Sequence, residues 1–442
     1  MPMPHGCVSR RLARPYAVVL ALLGVFAAGC TGTTAPTGAD ATATSSTGAW
    51  TTPGRSITSE SSDPADPGGA TTAPGATATA TATGYPGGGV LSEPQARACA
   101  ATVFTGMSDA ERLGQLLMVG IHPNQAPGGM DATIRSRRVG SVIYLGGWSG
   151  AATVRSTSAH LQQVATGPAD LLIAADQEGG AVQQLKGAGF TVLPSALRQG
   201  RLGDGAVSAL GEGIGRELSA AGVNVNLAPV ADTVPLDRAK SNAPIGKHDR
   251  QLGSDPTVVS HAVPLLVTAI QSRGVIATVK HFPGLGRVTG NTDVTASGIT
   301  DSVATVHDPF LAPFRAGIDA GVGLVMVSSA RYPGLDPDNQ AVFSRAIVTD
   351  LLRGQLGYDG VVVTDDVGVA AAVAAVPVGQ RAVRFLAAGG DLVLTASAAQ
   401  APTMLAEIRA RADSDAAFHA SIDESIRRVL TLKARFGLVR CG

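Results

Sequence analysis

Eight short apolar runs recur after residue 110 of this chain, and stretches with helical spacing separate them. The runs are Leu116–Ile121, Ser141–Leu145, Leu171–Ala175, Val223–Leu227, Val275–Val279, Gly323–Val327, Gly360–Thr364 and Asp391–Thr395. The helical stretches include Ala151–Ala165, Gly205–Ala221, Pro256–Ser272, Phe310–Ala320, Arg345–Leu356 and Val378–Ala388, and an amphipathic tail over Ile422–Phe436. Strand–helix alternation means parallel strands joined by right-handed crossovers. Eight units predict an α/β fold, a (β/α)8 TIM-type barrel forming a single catalytic domain, with the extra length in the loops after the strands. An open doubly wound sheet is the alternative. No G-x-G-x-x-G follows the first run, and too many runs end in polar residues.

Those polar ends are the chemistry of the chain. The third run ends in Asp176-Gln177-Glu178-Gly179-Gly180 and the fourth near Asp232. The fifth ends in Lys280-His281, the sixth in Ser328-Ser329 and the seventh in Asp365-Asp366. The fifth and seventh runs have no polar face, as expected for strands covered on both sides. A barrel brings all these ends to one face, where catalytic groups sit.

Outside the barrel the sequence changes character. Arg10, Arg11 and Arg14 precede an uncharged apolar run, Tyr16–Phe26, and then Ala27-Ala28-Gly29-Cys30. A run this short, ending in small residues, reads as a signal peptide over residues 1–29. Small residues before Cys30 resemble a bacterial lipobox, which predicts lipidation of Cys30; plain cleavage near Gly29 is the alternative. Residues 30–89 are Thr, Ala, Ser, Gly and Pro almost throughout, too poor in apolar groups to offset ordering entropy, so a disordered tether is expected. The catalytic domain is expected over 90–442. The location implied is the outer face of the cytoplasmic membrane, on a lipid anchor.

Of the four cysteines, Cys99 and Cys441 remain once Cys7 leaves with the leader and Cys30 takes the lipid. In an exported protein they are expected to pair, since the termini of a closed barrel lie near each other; two buried thiols are the alternative. Zero formal net charge argues against a nucleic-acid partner. No Cys/His cluster has metal-ligand spacing, so neither metal nor organic cofactor is expected.

Five segments carry a family resemblance: DQEGG at 176–180, NLAPVAD at 226–232, KHFPGLG at 280–286, LVMVSSARYPGLD at 324–336 and VVVTDD at 361–366. In this order they resemble glycoside hydrolase family 3, and more closely its single-domain β-N-acetylhexosaminidase (NagZ-type) branch, in a lipoprotein form as in actinobacteria. The resemblance implies that Asp365 is a carboxylate nucleophile attacking an anomeric carbon. Asp366 fits a cap on the following helix instead. It further implies that Asp176, Arg250, Lys280 and His281 bind substrate. Asp176, acceptor-only when ionised, suits two vicinal hydroxyls; its alternative is an Asx-turn. Glu178 reads as structural, bonding loop amides. Asp255-Pro256 reads as the cap and first residue of a helix.

The chain departs from the family in two places. Ala181 and Gln184 stand where basic residues are usual. After the fifth strand the branch carries D-S-H, whose His shuttles the proton; here Asp293 matches the Asp, and Thr295 stands in place of the His. Threonine does not transfer protons near neutral pH. Asp293 is the first candidate for that role, since burial raises a carboxyl pKa; His248 and His122 are the others. The expected function is a retaining exo-β-N-acetylglucosaminidase acting on cell-wall fragments, with a small oligosaccharide or muropeptide as substrate and a monomeric state. A β-glucosidase of the same family and a non-catalytic sugar-binding lipoprotein are the alternatives.

Overall fold

The computed structural model describes residues 91–125 and 128–441. The leader, the tether and Cys30 lie outside the described residues. The eight barrel strands are β1 (Leu117–Ile121), β2 (Ser141–Tyr144), β3 (Leu172–Ala175), β4 (Val225–Asn226), β5 (Ile276–Phe282), β6 (Leu324–Val327), β7 (Val361–Thr364) and β8 (Val393–Thr395). Strands β1 to β7 pair with their sequence neighbours, and β8 returns to pair with β1, all in parallel. A parallel bridge between Val363 and Leu392 closes the ring between β7 and β8. The expected barrel is therefore present, and every strand overlaps one of the eight apolar runs.

Strand alternation sorts the apolar side chains into two shells. Met118, Ile143, Leu172, Val225, Ile276, Leu324, Val361 and Leu394 fill the barrel interior. Val119, Val142, Ile173, Val279, Val325 and Val362 face the surrounding helices. In β7 the inward phase runs Val361, Val363 and then Asp365, which carries that carboxylate over the barrel axis. The Val-rich run that makes β7 a strand thus also aims its nucleophile candidate.

At the opposite end, the helix Ala416–Arg435 crosses the N-terminal ends of the strands. Its Val429 and Leu432 join the interior cluster, and the first helix, Glu93–Gly106, packs beside it. Cys99 and Cys441 are disulfide-bonded, with their Cα atoms 5.4 Å apart, tying these two ends together.

Several expected boundaries move. Strand β5 runs to Phe282 rather than Val279, so Lys280 and His281 are strand residues. Its pairing with β6 shifts between Met326 and Val327, and Lys280–His281 is a cis peptide. The stretch expected over Arg345–Leu356 is a wider helix, Ala346–Gln355, with i→i+5 bonding. The last helix starts at Ala416, six residues earlier than its apolar pattern from Ile422 indicates, because Asp415 caps the amides of Ala417 and Phe418. Asp255 caps Pro256–Gln271 as expected, accepting from the Thr257 amide at 2.7 Å. Helices at Asp131–Arg137 and Ala401–Ser414 were not legible, since neither follows a clear apolar period.

Candidate active site

The site is built on the C-terminal ends of β3, β4, β5 and β7. The K-H-F-P-G-L-G segment leaves β5 as a loop whose glycines have steric work to do. Gly284 has φ +138°, and a Cβ at Gly286 would overlap the Thr233 carbonyl oxygen. That close approach presses the loop against the segment after β4. There Asp232 is fully buried and accepts from the amides of Leu285 at 2.7 Å and His281 at 3.2 Å.

His281 is fixed by the same carboxylate. Its Nδ1–H donates to Asp232 Oδ2 at 2.7 Å, which leaves Nε2 directed at Arg250 Nη2, 3.5 Å away. Arg250 reaches in from the loop after β4 and grips Glu178 in a two-pronged pair, at 2.8 Å from Nε and 2.7 Å from Nη2. Lys280, buried at the end of β5, places Nζ 2.5 Å from Asp176 Oδ1 and 2.6 Å from Glu178 Oε1. Asp176, Arg250, Lys280 and His281, the residues that the resemblance implied to bind substrate, are brought together through Glu178 and Asp232 into one connected floor.

Electrostatics keeps this floor ionised. Burial alone would raise the Glu178 carboxyl, but Arg250 and Lys280 outweigh it and hold the group at about 2. Burial opposes the charge on Lys280 as well, and Asp176 and Glu178 keep its pKa above the ordinary lysine value. Glu178 was expected to bond loop amides. It is instead the central anion of the network, because its side chain points away from its own loop into two cations.

Asp365 and Asp293 face each other across this floor. Asp365 is half-buried; its amide donates to the Val327 carbonyl at 3.0 Å, and its Oδ1 accepts from the Asp366 amide at 2.9 Å. Asp366 does cap backbone, but not a helix start. It accepts from Gly368, Val369 and Ala396 amides, and the next regular turn begins only at Ala371. Asp293 reaches solvent through the mouth, yet protein surrounds it on the other sides. That loss of water raises its carboxyl to about 6, with the negative charge of Asp365 adding to the effect and Arg250 and His281 opposing it.

Thr295, in the position of the family's His, is turned back into its own loop, where its Oγ1 accepts from the Ser297 amide at 2.9 Å. His248 lies exposed on a short turn. His122 places Nε2 3.4 Å from the Ala396 carbonyl, just past the end of β8. Of the three proton-donor candidates, only Asp293 meets Asp365. Gln184 holds the loop after β2 by accepting from the Gly147 amide at 3.0 Å. Sequence reasoning assigned no role to Asp232, although it closes the NLAPVAD motif at the end of a strand; that position was the available signal.

The comparisons with known proteins agree with this geometry. The family model described as the glycosyl hydrolase family 3 N-terminal domain matches residues 109–432. The chain therefore belongs to glycoside hydrolase family 3, and it is a glycoside hydrolase. It is 36% identical over 262 residues to a beta-hexosaminidase of Xanthomonas campestris pv. campestris, covering 58% of this chain and 76% of that protein. Among solved structures, the β-N-acetylhexosaminidase of Beutenbergia cavernae is 44% identical, with a TM-score of 0.71, over 74% of this chain and 98% of that one. A family 3 β-N-acetylglucosaminidase from a Paenibacillus species is 32% identical with a TM-score of 0.67, over 75% of this chain and 63% of that one.

Proposed function

We propose that the chain is a retaining exo-β-N-acetylglucosaminidase that removes terminal N-acetylglucosamine from cell-wall fragments. The observation that carries this reading is the pair Asp365 and Asp293, two carboxylates with different environments over one substrate floor. The relatives named β-N-acetylhexosaminidase and β-N-acetylglucosaminidase support the choice of sugar. Asp176 and Arg250, which are not fully buried, reach the mouth to receive sugar hydroxyls, while Lys280 and Glu178 hold them from beneath.

In the first step an Asp365 oxygen attacks the anomeric carbon. The glycosidic bond breaks, its electron pair goes to the leaving oxygen, and that oxygen takes the proton from Asp293. In the second step Asp293, now ionised, accepts a proton from water, which attacks the anomeric carbon and releases Asp365. A carboxyl near 6 is poised for both directions.

A matched assay with chromogenic N-acetylglucosaminide and glucoside tests the sugar. Turnover of the first and not the second is expected; preference for the glucoside would make the chain a β-glucosidase. For the proton donor, Asp293→Ala should slow substrates with poor leaving groups by about a hundredfold or more, and nitrophenolate-type substrates far less at the first step. Equal losses for both would remove Asp293 from proton transfer. We further propose export and a lipid anchor at Cys30, which the Cys99–Cys441 bond supports because such bonds persist in oxidising compartments. The mass of the mature N-terminus tests it, and an unmodified Cys30 would overturn the anchor.

A further inference from the structure

The two catalytic carboxylates lie on different loops, and the structure shows what joins them. Asp293 is on the loop after β5 and Asp365 on the loop after β7. A short turn further along the β7 loop, Ala371–Val373, donates two amides across the gap. The Ala371 amide bonds the Asp293 carbonyl at 3.0 Å, and the Ala372 amide bonds the Thr292 carbonyl at 3.0 Å.

The turn is itself clasped by one side chain, Arg381, from the helix Val378–Ala387. Its Nη1 donates to the carbonyls of Val367 at 2.9 Å and Gly368 at 2.5 Å, immediately after the Asp365-Asp366 pair. Its Nε donates to Val376 at 2.7 Å and its Nη2 to Ala374 at 3.4 Å, immediately after the turn. Arg381 is buried, and among the described residues no carboxylate lies within ion-pair distance of it. Burial disfavours the charge on a guanidinium whose hydrogen-bond partners are neutral carbonyls and lowers its pKa, with the negative charge of Asp366 opposing. Its planar fork instead suits fixing several carbonyls in one arrangement. From the other side, Gln340 Nε2 donates to the Ala372 carbonyl and to the Ser329 carbonyl, both at 2.8 Å, fastening the same turn to the end of β6.

We infer that Arg381 is a positioning residue that sets the spacing of Asp365 and Asp293 by locking the Ala371–Val373 turn between their loops. The inference rests on the proposed roles of those two carboxylates. Arg381 touches neither of them, so it acts only through backbone. The groups that face Asp293 are Asp365 and Asp366 from the β7 loop, Arg250 from the β4 loop and His281 from β5. If the turn is released, Asp293 separates from Asp365, and both its repulsion and its reach to the leaving oxygen weaken together.

The test uses the pH profile of kcat/KM and two leaving groups. In the wild type, Asp293 must be protonated for the first step, so kcat/KM should fall as pH rises through about 6. Arg381→Met should move that limb downward, toward the ordinary aspartate range. It should also cost about a hundredfold on an N-acetylglucosaminyl disaccharide but under about tenfold on the nitrophenyl glycoside. Arg381→Lys should recover part of both effects, since an ammonium can still reach two of the carbonyls. Gln340→Met removes the second fastening without touching Arg381, and should move the limb the same way by less. It also serves if Arg381→Met does not fold. An unmoved limb, with equal losses on both substrates in the folded variants, would overturn the inference. Asp293→Asn run alongside separates the two levels. If the limb near 6 survives in Asp293→Asn, the acid–base reading itself fails. If the limb belongs to Asp293 but ignores Arg381 and Gln340, only the positioning role fails.

Discussion

At the C-terminal end of the barrel the buried cations Lys280 and Arg250 share the carboxylates of Asp176 and Glu178. At the N-terminal end Lys433 is equally buried, but its Nζ meets only neutral oxygens, Gln115 Oε1 at 2.6 Å and the Gly140 carbonyl at 2.9 Å. The same burial has opposite results. Lys280 is held above its ordinary pKa by its counter-charges, whereas Lys433 is pushed down to about 7 by desolvation that nothing comparable offsets. Counter-charge, not burial, decides which end stays ionised. The ionised end can meet a polar substrate. The other uses its lysine as a hydrogen-bond donor that seats the closing helix against β2.

This difference predicts that substitutions at the two ends fail differently. The largest effect is expected at Asp365. Asp365→Ala should reduce kcat by at least about a thousandfold, as removal of a covalent nucleophile does. Its melting temperature should stay near that of the wild type, because the side chain lies at the rim and leaves no cavity in the core. More than a tenth of the activity remaining would take Asp365 out of the mechanism.

Lys280→Met should break the clean division between function and stability. It leaves Asp176 and Glu178 with Arg250 as their only cation, and removing one member of a buried charged network costs about 3–5 kcal/mol. Denaturant midpoints and kcat/KM should fall together. A rise in KM with stability unchanged would show that the ammonium serves the substrate rather than its own carboxylates.

The barrel was legible because its signal is repeated eight times, and the third to seventh repeats end in polar residues that a buried strand would not otherwise carry. Asp365 was legible for the same reason, since four strand residues fix its phase. The wiring was not. Glu178 reads from sequence as one acid in a Gly-rich loop, and only the fold brings Arg250 to it across 72 residues of chain. Arg381 carries no motif at all; its partners are carbonyls, which every residue has. The π-bonded helix Ala346–Gln355 has the same apolar spacing as an ordinary one over so short a stretch.

At the other end, Lys433→Met removes a donor and leaves Gln115 Oε1 unmatched, while the Gly140 carbonyl keeps the Leu172 amide, at a cost of about 1–3 kcal/mol. The sign with pH follows from proton counting. Above about 7 the folded lysine is neutral while the unfolded one stays protonated up to 10.5. The unfolded state binds more protons in that window, so wild-type stability rises with pH through it. The variant lacks this rise. The gap between the two should therefore be wider at pH 9 than at pH 6, with kcat/KM of the variant matching the wild type at each pH. A gap that does not depend on pH would mean that Lys433 stays charged.

The smallest expected effect reverses that slope at the catalytic end. Asp293 is raised from 3.8 to about 6, so here the folded state binds the extra proton. Its contribution to stability is fully present below 3.8 and is lost as pH rises through 6, where water loss and Asp365 both disfavour the second anion. Asn has no such charge to lose stability by. Asp293→Asn should therefore match the wild-type melting temperature at the acid end of the folded range and exceed it slightly at pH 7.5, while its activity on disaccharides is lost. The shift is small because the mouth admits solvent that screens the repulsion. A variant that melts below the wild type at pH 7.5 would show that the carboxylate is stabilised where it stands. The contrast with Lys433 would then not hold, because stability would rise with pH at both ends.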